Sequence, residues 1–152
     1  NNQPDLAQYS YCIERQLKPE ARKDIIELFE ELDIIPNAMI DISDGLSSEI
    51  FHICKASGVG CNIYEEKLPA DAQTISISEE FKINSTTALL NGGEDYELLI
   101  ALKTDDYDKI KSHPLLTIIG HFTDQKEVCN MTTGLGQSIK LEAQGWKIFD
   151  QN

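Results

Sequence analysis

The sequence predicts an α+β domain in which helices cover a mixed sheet, and three observations support this prediction. The 152 residues are 41% hydrophobic and 26% charged, a mixture typical of a globular domain with a substantial core. Segments with helical periodicity are interspersed with short apolar runs of strand length. Some of these runs follow one another closely enough to pair antiparallel, which favours an α+β over a purely parallel arrangement.

The beginning of the chain lacks a clear pattern. Residues 1–18 mix polar and apolar side chains without helical or strand periodicity, and the sequence does not start with Met. We therefore expect residues 1–18 to be a segment that leads in from a preceding N-terminal domain, and residues 19–152 to form the α+β domain.

The next segments predict a helix, a strand and a second helix. Apolar residues recur at helical spacing over 19–33 until Pro36, and the run 38–42 has the character of a buried strand with Asp41 at its carboxyl edge. A second helical face follows from residue 46 and ends at Gly58, which suits a left-handed C-cap.

The remainder of the chain predicts shorter elements. They are a strand over 60–64, a weakly patterned helical region up to Phe81, a helix over 85–90 stopped by Gly92 and Gly93, a strand over 96–102, a helix after Thr104 with Tyr107 and Ile110 directed inward, and strands over 115–122 and 138–143.

The charge balance limits the partners of the chain. Acidic residues outnumber basic ones by 26 to 13, and such a negative field repels nucleic acid and anionic membranes. We expect neither as a partner, and no stretch reaches the ~20 apolar residues of a membrane span. If the domain handles phosphate, its charge must be neutralised by a divalent cation, a helix N-terminus or another domain.

The four cysteines form no dense framework, which favours reduced thiols in a cytoplasmic protein. Cys54 and Cys61 could be combined with His52 into a zinc site. Their spacing matches no common zinc pattern, however, so buried thiols are the preferred interpretation.

The densest polar motif is Asp41-Ile42-Ser43-Asp44-Gly45, at a predicted strand-to-helix turn. Two carboxylates and a hydroxyl are hard oxygen ligands, and Mg²⁺ takes one or two carboxylates together with waters and phosphate oxygens. The alternative is purely structural: Ser43 or Asp44 caps the helix and Asp41 is hydrogen-bonded into the turn.

The second motif is Asn91-Gly92-Gly93-Glu94-Asp95-Tyr96-Glu97-Leu98. The two glycines permit a close approach to the backbone, and the acids stand at the entrance to a strand. Because successive strand residues face opposite sides, Glu94 and Asp95 share one pocket only if the glycines twist the backbone. A glycine C-cap followed by a polar turn is the alternative.

The sequence excludes two common kinds of site, a phosphate-binding loop and a hydrolase triad, and leaves two roles for the aromatic residues near its end. The sequence contains no phosphate-binding loop of the Gly-x-x-x-x-Gly-Lys-Ser/Thr type and no plausible Ser/His/Asp or Cys/His arrangement. Trp146 and Phe149 either pack in the core or stack on a planar ligand ring.

Taken together, the motifs resemble the thiamine-monophosphate kinase family, which is related to aminoimidazole ribonucleotide synthetase and selenophosphate synthetase. The resemblance covers essentially the whole chain, and the order of the motifs is more specific than any one of them. They are Leu17–Arg22, Asp41–Leu46, Leu68-Pro69, Gly92–Leu98 and Gly145-Trp146-x-x-Phe149.

This resemblance implies a fold similar to the C-terminal domain of aminoimidazole ribonucleotide synthetase. It also implies transfer of the ATP γ-phosphoryl group to thiamine monophosphate with the help of Mg²⁺, in a homodimeric parent enzyme. The ATP-binding N-terminal domain is missing from this sequence, so we expect the fragment to be inactive alone. A related ATP-dependent synthetase and a non-catalytic binding or regulatory module are the alternatives.

The resemblance further implies roles for individual residues. Asp41 and Asp44 correspond to Mg²⁺ ligands, and Ser43 corresponds to a residue that contacts ATP. The substrate-binding positions are Glu94, Gly92, Gly93 and an aromatic of the pair Trp146 and Phe149. Ile148 departs from the family, which often has a polar residue there, and this leaves the choice between the two aromatics open.

Overall fold

A computed structural model describes residues 6–142 of the chain. Within this part, helices and strands follow one another in mixed order. The helices are α1 (Ser10–Leu17), α2 (Lys23–Glu31), α3 (Leu46–Ser57), α4 (Ala72–Glu80), α5 (Ser85–Asn91) and α6 (Tyr107–Ile110). The strands are β1 (Ala38–Asp41), β2 (Gly60–Tyr64), β3 (Leu98–Ala101), β4 (Gly120–Thr123), β5 (Cys129–Thr132) and β6 (Ser138–Lys140), and 3-10 turns occupy Ala7–Tyr9, Glu65–Lys67 and Thr104–Asp106.

The strands of the described part form two sheets. β1 and β3 pair antiparallel, with Asp41 opposite Leu98 at the end of the ladder. The second sheet has the order β4-β2-β5-β6, in which β2 and β5 are parallel and the outer pairs are antiparallel. A sheet of mixed direction accompanied by helices confirms the predicted α+β class.

Two hydrophobic clusters hold these elements together. The larger cluster joins the inner face of α3 to β2 and β5, and its buried members include Ile50, Ile63 and Met131. The smaller one joins α2 to the β1–β3 sheet and α6 through Ile25 and Phe29. Burial of this apolar area is the main favourable term in folding, so α3 and α2 are fixed by their apolar faces.

Several elements confirm the sequence prediction. β2 spans the predicted residues, α5 ends directly before Gly92, and α3 ends at Gly58, whose φ of 65° is the expected left-handed cap. No helix within residues 6–142 combines the length and the apolar character that crossing a bilayer would require.

Other predictions were wrong. Residues 10–17 form α1, which the sequence did not predict. Ile13 and Leu17 are one helical turn apart and share a side of this helix, but the helix has only eight residues and buries none of them, so its apolar pattern is short. Tyr107 was expected to point inward but is 50% exposed, while Ile110 is buried. The strand predicted over 115–122 is confined to β4, and β5 was not predicted.

Candidate functional site

The two polar motifs of the sequence lie side by side. Beyond the last pair of the β1–β3 ladder, three more backbone hydrogen bonds join the chain segments. The Ile42 N–H donates to the Glu97 carbonyl (2.8 Å), the Tyr96 N–H to the Ile42 carbonyl (2.9 Å), and the Glu94 N–H to the Ser43 carbonyl (2.7 Å). We call residues 42–45 and 91–97 the paired loops, because each fixes the backbone of the other.

Glycines make this close approach possible. A Cβ atom added at Gly93 would lie 2.5 Å from the Ser43 carbonyl oxygen, and one added at Gly45 would lie 3.0 Å from the Asn91 Cα atom. Gly45 also has a φ of 118°, which L side chains rarely adopt. The structural reason for glycine at these positions is therefore the contact between the loops themselves.

The helix-capping interpretation of the first motif is wrong. The N-cap residue of α3 is Gly45, and no side chain forms a capping hydrogen bond there. The Asp41 and Asp44 side chains are exposed, and within residues 6–142 no hydrogen bond or ion pair engages either carboxylate. Both carboxylates are therefore available to a ligand.

A buried acid supports Asp44 from behind. Glu49, on the first turn of α3, is 2% exposed, and its Oε1 accepts a hydrogen bond from the Asp44 backbone N–H (3.2 Å). This contact holds the main chain of the first motif while leaving the Asp44 side chain outside. The other carboxylate oxygen of Glu49 has no hydrogen-bond partner among the described residues.

Helix α1 contacts the second motif. The Gln16 Nε2 donates to the Glu94 Oε2 at 2.6 Å, and the Arg15 Nη2 donates to the Asp95 carbonyl at 3.2 Å. Glu94 and Tyr96 have positive φ values of 62° and 52°, so the backbone twists at these two residues and not, as expected, at Gly92 and Gly93, neither of which has a positive φ. The structure does not bring Asp41, Asp44 and Glu94 into one compact group of ligand atoms.

Two arginines not found by the sequence analysis meet on Glu97. Arg15 binds one Glu97 carboxylate oxygen and Arg22 binds the other, and Arg22 also forms a forked ion pair with Asp24 (3.0 and 2.9 Å). Partial burial raises the pKa of Asp95, an effect that Arg15 opposes and Glu97 adds to. For Arg22 the signal in the sequence was the segment Leu17–Arg22, which contributed to the resemblance but was given no role; Arg15 lies outside this segment.

A cavity of about 1000 Å³ lies between the two sheets and extends to the second of the paired loops. Its charged lining comes from Arg15, Arg22, Lys67, Asp71, Asp95, Glu97 and Lys103. Apolar side chains from α3, β2 and β3 line the rest, including Ile50, Ile63, Leu99 and, from the loop before β4, Ile118. A mostly apolar cavity with a few convergent polar groups is the usual form of a small-molecule site.

Asp41, at the end of β1, and Asp44, in the first of the paired loops, suit Mg²⁺ better than a metal whose ligands all come from the protein. Within residues 6–142, the sole group of three or more close His, Cys, Asp or Glu ligand atoms consists of Cys54, Cys61 and Cys129. Asp41 and Asp44 therefore offer separate, exposed oxygens. This fits a cation that takes one or two carboxylates and completes its shell with water and phosphate oxygens.

The zinc group of His52, Cys54 and Cys61, which was the less favoured interpretation, is not formed, because His52 is exposed and the third partner of the two cysteines is Cys129. Cys54, Cys61 and Cys129 are buried free thiols, as preferred, whereas Cys12 is only partly buried. The aromatic candidates Trp146 and Phe149, with Ile148 between them, lie outside the described residues.

Comparison with known proteins identifies the family. Residues 11–129 match the family described as "AIR synthase related protein, C-terminal domain", so the chain belongs to this family. Its curated relatives include the thiamine-monophosphate kinases of Aquifex aeolicus, 34% identical over 140 residues, and of Escherichia coli K12, 39% identical over 152 residues. These matches cover 90% and 95% of the chain, but only 41% and 44% of the two relatives.

Solved structures agree with this assignment. The structure described as "AaThiL complexed with AMPPCP and TMP" is 31% identical, with a TM-score of 0.76, and the match covers 97% of this chain and 44% of that one. The hydrogenase maturation protein HypE of Escherichia coli has a TM-score of 0.68, with 85% of this chain and 42% of that one covered, but only 19% identity, so it shows the fold alone. The chain thus spans less than half the length of the relatives that it matches.

Proposed function

We propose that this chain is the C-terminal half of an ATP-dependent kinase that transfers the γ-phosphoryl group of ATP to thiamine monophosphate, giving thiamine diphosphate. The observation that carries the proposal is the pair of free carboxylates, Asp41 and Asp44, beside a helix whose N-cap is a glycine. The curated relatives named thiamine-monophosphate kinase support the choice of reaction.

In this proposal Asp41 and Asp44 supply oxygen ligands to Mg²⁺, which neutralises the charge that develops on the transferred phosphoryl group. Ser43 lies between the two acids and contacts ATP. The first turn of α3 directs backbone N–H groups toward its own N-terminus, where they favour an anion. Glu49 holds the Asp44 backbone in place through its buried carboxylate.

The arginines strengthen the argument for a metal ion. The cavity is lined by four cationic side chains, Arg15, Arg22, Lys67 and Lys103, and the two arginines, which contact the second paired loop, are already paired with Glu97. Little of the charge of the arginines is left for a phosphate group. In a chain with a net charge of −13, a divalent cation is the simplest remaining source of neutralisation.

Substrate binding is assigned to the second motif. Glu94 is exposed and offers a carboxylate to the thiamine phosphate substrate, with Gly92 and Gly93 shaping the backbone beside it. An aromatic of the pair Trp146 and Phe149 would stack on the substrate ring. No protein general base is required, because the attacking phosphate oxygen is already ionised at neutral pH.

The proposal also concerns the parent enzyme. An N-terminal ATP-binding domain of the same chain completes the site, and the parent is a cytoplasmic homodimer without nucleic-acid or membrane partners. The partial coverage of the relatives supports the missing half, and the four cysteines, all free, agree with a reducing compartment.

The test compares the complete parent enzyme with the 152-residue chain. Each is incubated with ATP, Mg²⁺ and thiamine monophosphate, and thiamine diphosphate is separated and quantified. We expect product from the parent and none from the chain alone. A parent that converts other phosphate acceptors of a substrate panel, but not thiamine monophosphate, would contradict the proposed reaction.

A further inference from the structure

Three cysteines from three different elements meet in the larger hydrophobic cluster. Cys54 lies on α3, Cys61 on β2 and Cys129 on β5, and the parallel pairing of the strands sets Cys61 directly beside Cys129. Their sulfur atoms all lie within 4.8 Å of one another. The residues are 1%, 4% and 0% exposed. We call them the thiol triad.

The surroundings of the thiol triad disfavour charge. Its buried neighbours in the cluster are apolar, among them Ile50, Ile63 and Met131. Burial raises the pKa of Cys54 to about 11 and raises that of Cys61 further still. The Cys54 and Cys61 thiols therefore stay protonated at neutral pH, and a ligand that leaves a net charge in this core would pay a large desolvation penalty.

We infer that the thiol triad binds a trivalent thiophile, of which arsenous acid is the simplest, through three covalent bonds to sulfur. In this reaction three S–H bonds and three As–O bonds break, and three As–S bonds form. The three protons leave with the three hydroxyl groups as water. No atom changes its oxidation state, and the product is uncharged.

The geometry requires a small inward movement. Three sulfur atoms bound to one central atom at about 2.3 Å, the length of a metal–thiolate bond, are at most about 4.0 Å apart, because three equal ligands subtend no more than about 120° at that atom. The sulfurs of the triad lie within 4.8 Å of one another, so they need to approach by roughly 1 Å, which side-chain rotation can supply. A divalent cation such as Zn²⁺ or Cd²⁺ fits less well. Three thiolates around it would leave a net charge of −1 in the core, and a tetrahedral site needs a fourth ligand, which the thiol triad does not supply.

A route to the triad exists. Cys61 borders the cavity of about 1000 Å³ between the sheets, together with Ile50 and Ile53 of α3. A small neutral molecule can therefore reach one sulfur from the cavity before it bonds to the other two. Cys12, the remaining cysteine, lies on α1 outside the triad and provides an internal comparison.

The experiment titrates the 152-residue chain with sodium arsenite in a buffer whose reductant is a phosphine rather than a thiol. Native mass spectrometry should show one adduct per chain, heavier by one arsenic atom and lighter by three hydrogens. Alkylation in denaturant, while arsenic is still bound, followed by peptide mapping should find Cys12 labelled and the thiol triad protected.

Variants identify the ligands. Cys129→Ala and Cys54→Ala should each lose the three-bond adduct and bind arsenite at least about tenfold more weakly, whereas Cys12→Ala should bind as the unchanged chain does. Circular dichroism checks that each variant is folded. If one is not, the protection map of the unchanged chain decides the question alone.

Four results would overturn the inference. They are the absence of an adduct with the native chain, an adduct that contains Cys12, an unchanged adduct in folded Cys129→Ala, and binding of Cd²⁺ more tightly than arsenite. None of these outcomes depends on kinase activity, so the inference and the proposed function fail separately.

Discussion

The contact between the paired loops makes a strong prediction for Gly93→Ala. The new methyl carbon would lie 2.5 Å from the Ser43 carbonyl oxygen and 3.3 Å from the Asp44 carbonyl carbon. Both are backbone atoms, so the loops themselves must move, and the 2.7 Å hydrogen bond from Glu94 to Ser43 must lengthen. Overpacking of this kind costs about 1–3 kcal/mol, and we expect a loss of about 2 kcal/mol in the free energy of unfolding.

The measurement is urea unfolding of the 152-residue chain, supported by its melting temperature, which should fall by about 4–8 °C. Gly134→Ala is the matched control. A Cβ atom there meets only the flexible end of the Glu66 side chain, at 3.3 Å, and the cost should stay below about 0.5 kcal/mol. If Gly93→Ala proved as stable as this control, the paired loops would not be packed as described.

Two further predictions concern ionisable groups. Glu97→Gln removes the negative charge to which Arg15 and Arg22 are both paired. It should lower the free energy of unfolding by about 1–2 kcal/mol in low salt and by less in high salt, because salt screens ion pairs. An equal loss at both salt concentrations would contradict the ion-pair account. Because the pKa of Cys54 is raised to about 11, its thiolate forms only in strong alkali, and iodoacetamide should label it far more slowly than Cys12 at pH 8 and progressively faster toward pH 11. Equal labelling rates at pH 8 would refute this assignment.

The fold could be predicted where local signals are strong. Helix α3 has a wide apolar face and a glycine that stops it, and both features act within a few residues of the chain. Helix α1 could not be predicted, because it packs on α4 through polar contacts such as the Tyr11 backbone N–H with Gln73 and Cys12 with Thr74. Such contacts join residues far apart in the sequence and leave no periodic pattern.

Some residues of the candidate site could be predicted from the sequence and others could not. Asp41, Asp44 and Glu94 stand in dense local motifs and could be found from the sequence, together with the family resemblance. The ion pairs of Arg15 and Arg22 with Glu97 could not be predicted from the sequence, because they join residues about 80 positions apart. The capping alternative could be rejected only with the structure, because it depends on which residue occupies the N-cap of α3, and that residue is Gly45.

The thiol triad also could not be predicted from the spacing of its cysteines along the sequence. Cys61 and Cys129 are 68 positions apart but directly paired across β2 and β5, whereas the nearby His52 points away from the cluster to the surface. Register between strands is set by the packing of the whole sheet, so the third member of the group is the distant Cys129 and not the sequence neighbour His52.

The proposed function depends most directly on Asp44 as a ligand of Mg²⁺. In the complete parent enzyme, the rate of thiamine diphosphate formation is measured against Mg²⁺ concentration for Asp44→Asn and for Asp124→Asn, an exposed acid outside the paired loops. Loss of a metal ligand should cost several kcal/mol, which lowers kcat/KM by about 100-fold or more, while Asp124→Asn keeps the original Mg²⁺ dependence. An Asp44→Asn enzyme with full activity and unchanged Mg²⁺ dependence would show that this carboxylate holds no metal.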